Sequence, residues 1–238
     1  MCPTQQLSKQ KLANFFKDIK RLKAGMPLQY LLGEWEFYSI RLSVGKGVLI
    51  PRPDTETLVD AALELLEGKA GAQVADLCSG SGAAAIALAK NRPDLKCYAV
   101  ELSRQAIAYL RKNIKQNELE SRVLIVRADV KKKLKLAQLD LIVCNPPYLS
   151  AEDMQRRTPQ VCFEPPMALF AGDDGLEFYP VIAKRALELL KPGGSLAVEV
   201  GAGQAKRVCE LFKVNGFYDI RTRSDAAGIE RCVCALRA

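Results

Sequence analysis

Val74-Ala75-Asp76-Leu77-Cys78-Ser79-Gly80-Ser81-Gly82, continued by Ala83-Ala84-Ala85-Ile86-Ala87-Leu88-Ala89-Lys90, is the stretch on which the fold turns. An apolar run ends in an acid, passes through a glycine-punctuated turn and resumes as an alanine-rich helix former. This is the pattern of a buried parallel strand feeding a crossover helix. It predicts a strand near 73–78 and a helix near 82–90. Toward the C-terminus the alternation repeats, with a strand near 96–101, a helix near 103–117 and strands near 122–127 and 139–144. A helix near 176–190, a strand near 194–200, a helix near 204–214 and strands near 217–222 and 230–236 follow. Such alternation predicts a parallel, doubly wound α/β sheet.

Toward the N-terminus a helix is predicted over about 56–66, capped by Asp54 or Thr55 and ended by Gly68. Pro51-Arg52-Pro53 stops the segment before it, where residues 36–44 run into Gly45-Lys46-Gly47 and then Val48-Leu49-Ile50, a hairpin pattern with a glycine turn. At the front, Leu12, Phe15, Phe16, Ile19 and Leu22 recur at helical spacing and predict an amphipathic helix. Its simplest reading is a solvated face on a packed helix; the alternative is a contact surface for a ribosomal or RNA-associated partner.

The composition narrows the chemistry. With 238 residues, 49% of them hydrophobic, the chain is long enough for a sizeable core, which excludes disorder, collagen and coiled coil. No apolar run approaches the roughly 20 residues of a membrane helix, and Met1-Cys2-Pro3-Thr4-Gln5-Gln6 does not resemble an export signal, so a cytoplasmic protein is expected. The net charge is +8, but residues 1–24 hold +5 of it, which leaves the main body nearly balanced and argues against a phosphate-neutralising face. The absence of histidine removes Ser-His-Asp and Cys-His nucleophiles, His-ligated metals and His proton relays. The eight scattered cysteines read as small buried hydrophobes, and Cys232-x-Cys234 as alternate packing on a strand, since two thiolates cannot close a metal site alone; no metal is expected.

In an open α/β sheet the ligand lies beyond the carboxyl ends of the strands. At the first such end, Cys78-Ser79-Gly80-Ser81-Gly82 permits a tight turn and lets a ligand approach N–H groups at a helix start, yet it also fits the loosest dinucleotide fingerprint. At the second, Glu101 lies 19 residues after Gly82, where a carboxylate can accept both hydroxyls of a ribose. At the third, Asp129 precedes Val130 and can accept from an exocyclic amine such as adenine N6. The strand at 139–144 runs straight into Asn145-Pro146-Pro147-Tyr148. The prolines fix the backbone and remove its donors, Asn145 adds a side-chain carbonyl and Tyr148 a flat wall. Together they can hold a planar NH2 group: two acceptors for its hydrogens and a ring against its face.

Asn145-Pro146-Pro147-Tyr148 at this position resembles the signature of methyltransferases that act on planar amino groups. Further stretches narrow the resemblance to the release factor glutamine methyltransferases (PrmC/HemK). They are Gly25-Met26-Pro27-Leu28-Gln29-Tyr30-Leu31-Leu32-Gly33, Leu49-Ile50-Pro51-Arg52-Pro53-Asp54-Thr55-Glu56, Phe163-Glu164-Pro165 with Ala168-Leu169, Lys191-Pro192-Gly193-Gly194, and Asp225 to Gly228 to Arg231. The match covers nearly all of 25–238. Where that family usually has a glycine this chain has Cys78, where it often has an aromatic this chain has Val130, and only about 24 residues precede Gly25 where the family typically carries several helices.

The resemblance implies a Rossmann-like class I methyltransferase fold, a mostly parallel seven-stranded sheet whose last strand is antiparallel, with a short N-terminal helix and β-hairpin. It implies residues 1–50 as a reduced substrate-docking region and 51–238 as the S-adenosylmethionine-dependent domain. The expected reaction is N5-methylation of the glutamine in the Gly-Gly-Gln motif of bacterial peptide chain release factors. Asn145, Pro146 and Tyr148 are expected to be catalytic, and Asn145, Pro146, Pro147 and Tyr148 to bind the substrate. Cys78, Ser79, Gly80, Ser81, Gly82, Glu101, Asp129, Val130 and Asn145 are expected to bind the cofactor, with no membrane and no specific nucleic acid as partner. Glutamine methylation of a ribosomal protein, N6-adenine methylation of nucleic acid, and a nicotinamide-dependent oxidoreductase remain as rivals.

Overall fold

In the computed structural model, which describes residues 8–136 and 138–238, the glycine-loop stretch forms β3 (Gln73–Leu77) and α4 (Ala83–Asn91), as the alternation predicts. Ahead of them lie α1 (Lys9–Lys23), α2 (Leu28–Leu32), β1 (Glu34–Phe37), β2 (Ile40–Ser43) and α3 (Glu56–Leu65). After them come β4 (Lys96–Glu101), α5 (Arg104–Gln116), β5 (Val123–Arg127), β6 (Leu139–Cys144) and α6 (Ala151–Gln155). The chain ends with α7 (Phe178–Leu189), β7 (Leu190–Glu199), α8 (Ala205–Val214), β8 (Phe217–Ser224) and β9 (Glu230–Arg237).

The main sheet has seven strands in the order β5-β4-β3-β6-β7-β9-β8. The ladders from β5 to β7 are parallel, and β9 runs antiparallel to both β7 and β8. Strand order reverses between β3 and β6, so a crevice opens beyond their carboxyl ends. Strand periodicity divides the core between the two faces: Leu141 and Val143 of β6 pack with Leu58, Ile86 and Leu110, while Ile142 and Cys144 pack with Tyr179, Ile182 and Phe212. Cys232 and Cys234 are buried on β9 with their sulfurs 3.8 Å apart, packed into the sheet. Among the described residues, no helix is long and apolar enough to cross a membrane.

Three expectations need correction. The hairpin is β1–β2, and its turn is Tyr38-Ser39, with φ of +52° and +57°, not the glycines at 45–47. Tyr38 is held there by tertiary bonds: its N–H donates to Glu56 (2.8 Å) and its hydroxyl to Asp60 (2.6 Å). Gly45 and Gly47 instead let the following strap pass over α5, since a Cβ on either would collide with Tyr109 or Gln105. Neither Asp54 nor Thr55 caps α3 through its side chain, because Asp54 pairs with Arg231 (3.0 Å) and Thr55 is engaged at the site described below. Finally, α1 forms with Ser8 as its N-cap, but none of its residues is buried, and Phe15 and Phe16 are 54% and 56% exposed. Among the described residues nothing covers Leu12, Phe15 and Phe16, while Ile19 and Leu22 toward the end of the helix are half-buried; residues 1–7, including Cys2, lie outside the described residues.

Candidate active site

The strand ends converge on a cleft of about 540 Å³ between the glycine loop, the strap at 47–55 and the segment 165–178. Of the residues singled out in the sequence, Cys78, Ser79, Gly80, Ser81, Glu101, Asp129, Val130, Asn145 and Pro147 line it. Gly82, Pro146 and Tyr148 do not. Gly82 acts one step removed: it starts α4 at φ +87°, and a Cβ there would collide with Leu110.

Cys78 adopts φ +63°, the left-handed region that glycine enters freely and other residues enter at a cost of about 1–2 kcal/mol. The usual ranking of small residues should therefore invert at this position. Cys78→Gly is expected to be more stable than Cys78→Ala by about 1 kcal/mol in denaturant titrations; equal midpoints would show that the turn carries no strain.

Glu101 does more than face the cleft. Its carboxylate accepts from the Gly80 N–H (2.8 Å), the Leu102 N–H (2.8 Å) and the Ser103 N–H (2.7 Å), tying the glycine loop to the end of β4. Asp129 accepts from the Lys131 N–H (2.9 Å), and Lys131 pairs with Glu177 (2.6 Å) while lying 4.7 Å from the centre of the Phe178 ring. Asp76 is a further acid on the cleft wall: it is buried, accepts from the Ala85 N–H (3.2 Å), and burial pushes its pKa up to about 7. The ionisable lining is thus Asp76, Glu101, Asp129 and the Lys131–Glu177 pair, an acidic surface broken by apolar side chains such as Val100, Leu102, Met167 and Phe170. That balance suits a cationic nucleoside and opposes the pyrophosphate of a dinucleotide.

The Asn145 loop is held from both sides. Asn145 donates through Nδ2 to the Thr55 hydroxyl (3.1 Å). The Tyr148 carbonyl accepts from Gln204 (2.9 Å), and Leu149 exchanges backbone bonds with Leu169 and Ala171 (2.8 and 2.9 Å). The strap is anchored to the same segment through buried Glu164, which accepts from the Ile50 N–H (3.0 Å) and from Arg52. Tyr148 differs from the expected wall of the cleft: its ring packs toward Gly201, and its hydroxyl faces the Glu199 carboxyl. Burial pushes that hydroxyl's pKa up.

Asp76, Thr55, Glu164 and Glu199 escape the reading by sequence. Asp76 and Glu199 carry a usable signal, an acid at the end of an apolar strand run; Glu199, at the carboxyl end of β7 and 1% exposed, closes Leu196-Ala197-Val198. Burial pushes its pKa up to about 7, against the Thr55 and Tyr148 hydroxyls that pull it down. Because the folded chain holds this proton more tightly than an unfolded one, the group's stabilising contribution is full below its ordinary pKa of 4.5 and lost as pH rises through about 7. The melting temperature of Glu199→Gln relative to wild type should therefore rise between pH 5 and pH 8; a constant difference would mean that Glu199 titrates normally.

Strand order, the antiparallel β9 and the cleft beyond β3 and β6 define a class I methyltransferase. The model described as the methyltransferase small domain matches residues 55–207, and the PrmC N-terminal domain matches residues 1–33. The release factor glutamine methyltransferase of Clostridium acetobutylicum is 37% identical over 98% of this chain and 82% of its own length, and that of Geobacter sulfurreducens 42% identical over 87% and 72%. The chain belongs to the release factor glutamine methyltransferase family. In fold it also resembles the T. thermophilus 16S rRNA N2 G1207 methyltransferase, solved with AdoMet and guanosine (TM-score 0.64, 22% identity, 86% of this chain and 50% of that one).

Proposed function

We propose that this chain methylates the side-chain amide nitrogen of the glutamine in the Gly-Gly-Gln motif of bacterial peptide chain release factors, in the cytoplasm, with S-adenosylmethionine as donor. The observation that carries the reading is the convergence of Asn145 with three carboxylates, Asp76, Glu101 and Asp129, on one cleft. The family's named activity supplies the substrate class. S-adenosylmethionine, when bound, supplies a methyl on a positively charged sulfur, which an acidic cleft accommodates.

The residues of this chain then divide the work. Cys78, Ser79, Gly80 and Ser81 would present backbone to the cofactor, with Gly82 shaping the turn behind them; Glu101 would accept from its ribose, Asp129 from its adenine amine, and Val130 would pack against the base. An amide nitrogen is a weak nucleophile because its lone pair is delocalised, so orientation dominates over base strength. Asn145 Oδ1, on the cleft wall, would accept one amide hydrogen and direct the nitrogen, and the carbonyl of Pro146, next in the loop but not in that wall, would take the second, while Pro147 and Tyr148 fix the loop that carries them. Once alkylated, the nitrogen is strongly acidic and gives its proton to water or to these acceptors, so no histidine is needed.

We assign residues 51–238 to this chemistry and residues 1–50 to docking of the protein substrate. Because α1 buries none of its residues, deleting residues 1–24 is expected to leave cofactor affinity intact and to raise KM for the release factor. Unfolding on deletion would show that the segment is core. The function itself is tested by offering the protein radiolabelled S-adenosylmethionine with release factors, ribosomal proteins and DNA in parallel. Label in release factors supports the reading; label confined to ribosomal proteins or DNA defeats it.

A further inference from the structure

We infer that Glu199, acting through the Thr55 hydroxyl, fixes which end of the Asn145 side-chain amide faces the cleft. The inference rests on the functional reading above, since it explains how that reading's acceptor is aimed. Thr55 lies in the turn that opens α3, Asn145 just beyond β6 and Glu199 at the end of the neighbouring strand β7, where Cys144 and Val198 are paired in register. Thr55 is 4% exposed and Glu199 1%, so bulk water cannot substitute freely for a missing partner.

The direction of each bond follows from counting hydrogens. A hydroxyl has one to give. The Thr55 hydroxyl faces the Glu199 carboxyl, which above its raised pKa of about 7 only accepts, and there the hydroxyl hydrogen is drawn to it. Toward Asn145 the same oxygen can then only accept, and Asn145 accordingly turns its Nδ2 to it at 3.1 Å. That leaves Oδ1 as the end of the amide available to the cleft. Reversing the amide would require Thr55 to turn its hydrogen to Oδ1, which would take a donor from a carboxyl whose Oε2 already lacks a hydrogen-bond partner among the described residues. A buried carboxylate stripped of donors is strongly unfavourable.

The polarity matters because the substrate end is itself an NH2 group. With Oδ1 outward, Asn145 accepts one of its hydrogens; with Nδ2 outward, donor meets donor and the nitrogen is pushed out of line. The Tyr148 hydroxyl faces the same carboxyl, so one buried acid orders both polar side chains of Asn145-Pro146-Pro147-Tyr148. Thr55, which also lines the cleft, and Glu199 behind it are thus positioning residues that act through the Asn145 amide.

The test compares Thr55→Val, Thr55→Ser and Glu199→Gln in the full chain at about pH 8.5, where Glu199 is ionised. Thr55→Val and Glu199→Gln should each lower kcat by at least about tenfold with KM and cofactor Kd changed less than about threefold, and Thr55→Ser should stay within about threefold of wild type. In an Asn145→Ala background Thr55→Val should cost less than about twofold more, because the amide it aims is gone. Equal kcat for Thr55→Val and wild type, or effects that multiply in the double variant, would overturn the inference. A substrate-free readout separates it from the functional reading. The Asn145 side-chain NH2 resonances, assigned by their loss in Asn145→Ala, should shift in Thr55→Val and Glu199→Gln but not in Thr55→Ser. Wild type that labels no release factor while these shifts appear would sink the function and keep the relay; unchanged resonances in Thr55→Val would sink the relay.

Discussion

Asn145→Ala is expected to lower kcat for glutamine methylation at least about a hundredfold while cofactor affinity changes little, because orientation of the amide is the principal contribution asked of the protein. The substitution removes the side-chain acceptor but leaves the prolines, the Gln204 bond to the Tyr148 carbonyl and the backbone exchange between Leu149 and 169–171, so the loop keeps its course. Calorimetric titration with S-adenosylhomocysteine beside a single-turnover assay separates the two effects. Near wild-type kcat would reduce Asn145-Pro146-Pro147-Tyr148 to a structural turn.

Glu101→Ala is expected to weaken cofactor binding by about 1–3 kcal/mol, since the ribose loses a charge-assisted acceptor. The structure adds a second cause: the same carboxylate holds the N–H groups of Gly80, Leu102 and Ser103, so the glycine loop loosens when it goes. Glu101→Gln keeps one oxygen acceptor and should fall between alanine and wild type. Calorimetric affinity unchanged in both variants would show that the loop binds without this acid.

These two residues were visible in the sequence because one rule, that ligands lie beyond the carboxyl ends of parallel strands, pointed to their positions. The same rule works wherever strand periodicity is strong: β4 and β6 have the bounds predicted from their apolar runs, and the sheet they belong to follows from the alternation. It fails where long-range contacts decide. Tyr38-Ser39 lacks the glycine or asparagine that signals a two-residue turn, and its left-handed backbone is held by Glu56 and Asp60 on α3. Thr55 and Asn145 meet across 90 residues, Arg52 and Glu164 across 112, and no local pattern announces either pair. Tyr148 shows the limit most clearly, since an aromatic after two prolines reads as a wall for the ligand until Glu199 is seen facing its hydroxyl. For α1 the amphipathic spacing was legible, but what covers the stripe was not, because periodicity reports an apolar face and not its partner.

The central claim is that the cleft presents a planar side-chain amide to an electrophilic methyl, and it is tested most directly by locating the methyl on the product. Release factor treated with the wild-type chain and S-adenosylmethionine, digested and fragmented in a mass spectrometer, should carry one methyl on the side-chain nitrogen of the Gly-Gly-Gln glutamine, and the Asn145→Ala sample should carry almost none. A methyl on a backbone nitrogen, a carboxylate or any other residue, or equal labelling by the two proteins, would contradict the account.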